Sequence, residues 1–176
     1  MERAKTALVD SDPTVDAYLE LVRAHEEMAT ALARVFQGHG VTQQQYNVLR
    51  ILYVRDKGDG LPCSAISARL VNRVPDMTRL LDRLEKAGLV TRHRCTSDRR
   101  VVRTRLSEEG TALVERIHGP LHAAHARLAT ELDPGELDEL TRLLRKLRNG
   151  VARAEDEDAS AAQRAAAEAT PVEASA

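Results

Sequence analysis

Between residues 61 and 106 the spacing of apolar side chains changes its period, and that change narrows what the chain can fold into. Ile66 and Leu70, then Met77, Leu80, Leu81 and Leu84, recur at helical spacing. Val71 to Val74 lie between the two sets and leave room only for a tight turn. Pro75 is placed as a first helical residue, where proline's missing N–H costs nothing. Gly88 closes the second helix, as a C-terminal glycine does. Beyond Gly88 the period drops from about 3.6 to about 2. Val90, Arg92 and Arg94 alternate with Thr91, His93 and Cys95, and Val102, Thr104 and Leu106 alternate with Val101, Arg103 and Arg105. That pattern predicts a two-stranded hairpin with one face inward, an arginine-rich face outward, and Asp98, Arg99 and Arg100 at its tip.

Charge gathers on the same stretch. Residues 42–106 hold 14 Lys and Arg against 6 Asp and Glu, a net of +8; the rest of the chain holds 12 against 21, a net of −9. A nearly neutral protein with so basic a middle carries a footprint for a polyanion. Two short helices, a turn and a ribbon with a basic tip form the layout of a winged helix-turn-helix reader of double-stranded DNA. The expected fold class is therefore mainly α, with a small β-hairpin wing.

Three segments, TRLLDRLEKAGLV at 78–90, DRR at 98–100 and RLSEEG at 105–110, resemble the multiple antibiotic resistance regulator (MarR) family of bacterial transcription factors. The likeness extends over roughly residues 14–152. It implies an intertwined two-fold homodimer that holds two winged modules apart, and a repressor of a near-palindromic operator relieved by a small molecule. The chain departs from the family's pattern at the start of the second reader helix. Val74-Pro75-Asp76 stands there in place of the usual Ser or Thr N-cap, and valine caps poorly.

The flanking sequence divides readily. Residues 1–12 read as a flexible arm and 13–41 as a dimerisation helix, capped by Asp12 with Pro13 at its first position and ended by Gly38-His39-Gly40. Residues 42–106 are the DNA-binding region, whose first helix opens on a Thr42/Gln45 capping box with Val41 and Tyr46 as a hydrophobic staple. Residues 107–152 read as two further dimerisation helices. The first is capped by Ser107, runs to about Leu132 and carries Gly119-Pro120 in its middle, where a kink is expected. The second opens on an Asp133/Glu136 capping box and carries a heptad-like seam of Leu137, Leu140, Leu144, Leu147 and Val151. Residues 153–176, acidic and alanine-rich, read as a disordered tail with transient helix as the alternative. Long apolar stripes with no second layer to cover them call for a partner, and a second copy is the simplest.

The start of the recognition helix supplies the candidate base contacts: Val74, Asp76, Met77, Thr78 and Arg79. Arg79 suits guanine O6/N7 and Asp76 suits cytosine N4, while Val74 and the Thr78 methyl suit thymine methyls. For Arg79 the alternative is a phosphate contact, and for Asp76 it is stabilisation of the helix dipole. Ser64 and Arg73 are placed for phosphates. Arg99 or Arg100 fits a minor groove, and Asp98 either holds an arginine or shapes the turn.

The resemblance also implies an effector pocket between the dimerisation helices and the reader, commonly for small aromatic or anionic molecules; Arg23, His25, Tyr46 and Tyr53 are its candidate lining. Cysteine-based redox sensing and metal sensing are the alternatives. Cys95 lies among Arg92, His93 and Arg94, whose charge favours a thiolate. However, no cysteine precedes Cys63, and the family's redox sensors carry theirs in the first helical region. His118, His122 and His125 share one helix edge, yet both cysteines lie far from them in the chain, so no metal site is assigned. No cofactor motif is present, and neither a glycine-rich phosphate loop, a Ser/His/Asp arrangement nor a paired-carboxylate site suggests an enzyme. A dimeric partner-binding module without specific DNA binding remains the third class. Nothing in the sequence spans a membrane or directs secretion, so a cytoplasmic location is expected.

Overall fold

A computed structural model of the chain describes residues 12–71, 74–95, 98 and 100–168, with the backbone alone for 165–168. The expected arm before residue 12, Arg73, Arg99 and the last eight residues of the tail lie outside the described residues.

The longer helices begin where their sequence offers an acceptor to the orphan N–H groups of a first turn. In α1 (Pro13–Gln37) the Asp12 carboxylate accepts from Thr14 N at 2.8 Å. α2 (Gln43–Arg55) opens on a reciprocal capping box: Thr42 Oγ1 accepts from Gln45 N at 3.2 Å, and Gln45 Oε1 accepts from Thr42 N at 2.8 Å. Val41 and Tyr46, the expected staple, are both buried in the core. A short strand, β1 (Leu61–Pro62), leads into α3 (Cys63–Ser67); α4 (Met77–Lys86) is the recognition helix. Gly88 follows α4 at φ 71°, the left-handed position expected of it.

The wing is β2 (Val90–Arg94) paired antiparallel with β3 (Val102–Leu106), with Val90 opposite Leu106, Arg92 opposite Thr104 and Arg94 opposite Val102. Its sheet has three strands rather than the two read from sequence, in the order β1-β3-β2. A two-residue strand has no periodicity to detect, and Pro62 sits where proline is tolerated, on an edge strand. Ser107 Oγ donates to Gly88 O at 2.6 Å and accepts from Gly110 N at 2.9 Å, so one hydroxyl seats the start of α5 (Glu108–Leu128) on the end of the α4 turn.

The core is built where these elements meet. Leu32 and Phe36 of α1, Leu49 and Leu52 of α2, Ile66 of α3, Leu80 and Leu84 of α4, Val90 of β2 and Ile117 of α5 are all buried. The α1 and α2 helices both pack on α5. α5 runs unbroken through Gly119-Pro120 and ends at Leu128, about a turn short of the expected Leu132.

The chain divides into two compact units, the first ending at Leu128. The second contains α6 (Pro134–Glu168), opened by the Asp133/Glu136 capping box with both bonds at 2.9 Å. α6 continues through 153–168, where disorder was expected. Alanine has the highest helix propensity, so a polar alanine-rich segment extends an existing helix although it buries nothing. Among the described residues no helix is long and apolar enough to cross a membrane.

Candidate nucleic-acid interface

Asp76 determines how the recognition helix begins. Its Oδ1 accepts from Arg79 N at 2.9 Å, and its Oδ2 lies 2.9 Å from Arg79 Nε. Helix α4 therefore starts at Met77 with Asp76 as N-cap, and Pro75 lies before the cap instead of at the first helical position. The apparent departure at Val74 is thereby resolved, because an aspartate two residues on does the capping. The alternative of helix stabilisation accounts for Asp76 in this structure, and its carboxylate is engaged by Arg79. The same ion pair engages Arg79 Nε.

Met77 does not belong with the reading residues. It is buried among the core side chains, because the first turn of α4 turns its apolar face inward. Val74 is half-buried against that core, whereas Thr78, Arg79 and Ser64 are exposed. At the wing tip Asp98 Oδ1 accepts from Arg100 N at 3.0 Å, and Asp98 O accepts from Val101 N at 3.0 Å. Asp98 thus shapes the turn, one of its two expected roles, and Arg100 is exposed beyond it. Cys95 is half-buried beside the tip, its N–H bonded to Val101 O at 2.8 Å.

One wing arginine has a role that alternation along the strand did not reveal. Arg92 faces α4, where its Nε lies 2.8 Å from Glu85 Oε2 and its Nη2 2.6 Å from Asp82 Oδ1. The hydrogen bond that Arg92 donates to Glu85, reinforced by Asp82, raises its pKa further above the ordinary value. Asp82 and Glu85 stand three apart on one helix face, a spacing visible in the sequence; only the fold placed it opposite the wing. Arg103 is likewise committed, donating to Gly60 O at 2.9 Å.

A cavity of about 460 Å³ lies between α2 and α5. Tyr46, Arg50 and Tyr53 line it from α2, and Val114, Glu115 and His118 from α5. Of the four expected effector residues, Tyr46 and Tyr53 meet here. Arg23 and His25 do not: both are exposed on α1, and Arg23 pairs with Glu20 at 2.6 Å within its own helix. Arg50, Glu115 and His118 were missed. The spacings i, i+4, i+7 over Tyr46, Arg50 and Tyr53, and i, i+3 over Glu115 and His118, mark the two facing stripes. Tyr53 OH donates to Glu115 Oε1 at 3.1 Å, and this bond raises the tyrosine's pKa. Burial raises that of Tyr46, against a smaller opposing effect from the nearby Arg50 charge. His118 stacks on His122 with ring centroids 6.5 Å apart. Among the described residues no group of three or more His, Cys, Asp and Glu side chains is arranged to hold a metal ion.

Comparison with known proteins gives one consistent result. The MarR family model matches residues 41–102, the span from the staple of α2 to the first residue of β3. A helix-turn-helix-type transcriptional regulator of Bacillus subtilis, YkoM, is 29% identical over 133 residues, covering 75% of this chain and 84% of that protein. The solved structure of a MarR transcription factor from Planctomyces limnophilus is 36% identical, with a TM-score of 0.60, covering 77% of this chain and 97% of that one. The DNA complex of MepR from S. aureus is 25% identical, with a TM-score of 0.67, covering 76% and 96%.

Proposed function

Because this chain belongs to the MarR family of transcriptional regulators, we propose that it acts as a homodimeric, sequence-specific repressor of a near-palindromic operator and is released by a small-molecule effector. The observation that carries the reading is the exposed surface formed by the start of α4 and the wing tip. It presents Thr78, Arg79 and Arg100 to solvent on a region of net charge +8. Thr78 and Arg79 would address base edges in the major groove. Arg100, together with Arg99, would enter the neighbouring minor groove. Ser64 and Arg73 would hold phosphates. MepR binds DNA with a fold of the same kind, which supports DNA binding by this chain. Two copies would set their recognition helices about one helical turn, roughly 10 bp, apart.

Dimerisation is supported by apolar residues left exposed on each unit. They are Val15, Tyr18, Leu19 and Val22 on α1, and Leu140, Leu143, Leu147 and Val151 on α6. Residues 13–41 and 107–152 would thus form the dimerisation region. The α2–α5 cavity is the effector site in this reading. A ligand there would act by binding one separation of the recognition helices better than the other.

Fluorescence anisotropy on DNA from upstream of the chain's own gene, across a salt series and against unrelated DNA, tests the proposal. Tight, salt-steep binding that prefers the upstream fragment is the expected result. Arg79→Ala should cost about 1–3 kcal/mol and relax the preference at one base pair. Equal, weak binding to both fragments would remove sequence-specific repression at this site.

A further inference from the structure

The α2–α5 cavity does not end at its aromatic residues. A second hollow of about 200 Å³, lined by Arg50, Ile51, Val54, Arg55 and Arg69, abuts it and shares Arg50 and Val54 with it. We propose that the two hollows form one bipartite site for an amphipathic anion, with an aromatic body beside Tyr46 and Tyr53 and a phosphate monoester head among Arg50, Arg55 and Arg69. The proposal rests on the effector reading of the first cavity and specifies its ligand.

Three observations support it. First, three arginines, Arg50 and Arg55 of α2 and Arg69 of the turn after α3, line the second hollow, and none of its described lining residues is a carboxylate. By contrast, two other arginines of the reader are matched by acids, Arg79 by Asp76 and Arg92 by Asp82 and Glu85. Arg69 is steadied by the Ala65 carbonyl at 2.8 Å, and Arg55 sits in the last turn of α2, where the helix dipole favours a cation. Arg50 is in mid-helix and has neither support. Gathering like charges costs energy that a bound anion offsets.

Second, the aromatic hollow carries its own negative charge. Glu115 accepts from Tyr53 OH inside it and so disfavours an anionic head at that end. The charged end of a ligand is directed away from Glu115, across the ridge of Arg50 and Val54. Arg23, an expected lining residue, is not among the residues that line the first site.

Third, chemistry and size agree. Guanidinium groups pair in a fork with phosphate oxygens, and three of them suit a doubly charged head better than a single carboxylate. Ile51 and Val54 give the hollow an apolar wall against which the ester end can rest.

Calorimetric titration of the full chain with 2-naphthol, 2-naphthoate and 2-naphthyl phosphate tests this, at about pH 7.5 where the monoester is close to doubly charged. The phosphate is expected to bind about tenfold or more tighter than the naphthol, with the carboxylate between them. Arg55→Gln with Arg69→Gln should abolish that advantage and leave naphthol binding unchanged. Equal affinities for the three, or an advantage that survives the double substitution, would overturn the bipartite site. Naphthol binding without a phosphate advantage would leave the effector cavity standing, whereas no binding by any probe at millimolar concentration would remove both. A double variant that keeps the phosphate advantage but binds unrelated DNA with a flatter salt slope would assign these arginines to the DNA backbone instead.

Discussion

A β-carbon on Gly110 would collide with the carbonyl oxygen of Leu89 and come within 3.2 Å of Leu106 Cδ2. The collision involves backbone, so the start of α5 has to move if that glycine is replaced. Gly110→Ala should cost about 1–3 kcal/mol by overpacking, read from urea denaturation. Gly38→Ala is the control, since its backbone is already helical at φ −59° and its new contacts are ordinary ones near 3.5 Å. It should be neutral or gain up to about 1 kcal/mol. Tyr46 gives a pH signature at the same scale. Burial raises its folded pKa above 10.0, so the folded state holds that proton more tightly than the unfolded chain. The contribution is present in full below pH 10.0 and is lost as pH rises through the higher folded value. Denaturation midpoints followed upward from neutral pH should therefore fall at alkaline pH, and Tyr46→Phe should flatten that fall.

The wing and the recognition helix act as a pair because Arg92 ties one to the other. Two strands joined by a short tip have little core of their own; the inward residues Val90, Thr104 and Leu106 supply packing, and the Arg92 bridge sets rotation about it. The bridge is partly exposed, so Arg92→Ala should cost only about 1 kcal/mol of folding stability. Its larger effect should be on DNA. If Arg92 orients the wing, Arg100→Ala will weaken binding strongly in the native background and little in the Arg92→Ala background. A double-mutant cycle by anisotropy reads that coupling. Additive losses would show that the bridge serves stability alone.

For the whole molecule the decisive quantity is the oligomeric state. Leu140 and Leu147 are exposed on α6, 43% and 53% accessible as residues, too apolar a surface to be left to water along a long helix. Leu140→Asp together with Leu147→Asp should shift the protein from dimer to monomer in light scattering. The double variant should also lose the operator preference while retaining weak, salt-dependent binding to any DNA. A dimer that survives the change would place the two-fold contact elsewhere.

Much of this protein is local in origin and was therefore legible. Caps at Asp12, Thr42, Ser107 and Asp133, the left-handed Gly88, and the switch of apolar period between α4 and β2 each depend on residues a few positions apart, so sequence alone located them. It also identified the family, through motifs that lie in one continuous stretch. What it misplaced depends on side chains brought together from afar. Met77 belongs by spacing to the apolar stripe of α4 and by position to its reading end, and packing of the first turn decides for the stripe. Arg92 reads as one more wing cation until Asp82 and Glu85 stand opposite it. Arg23 is a reasonable anion partner until α2 and α5 close on a cavity that excludes it and recruits Arg50, Glu115 and His118. Periodicity tells which face of an element is buried; only packing decides which residue of another element that face meets, and the candidate effector site is made of such meetings.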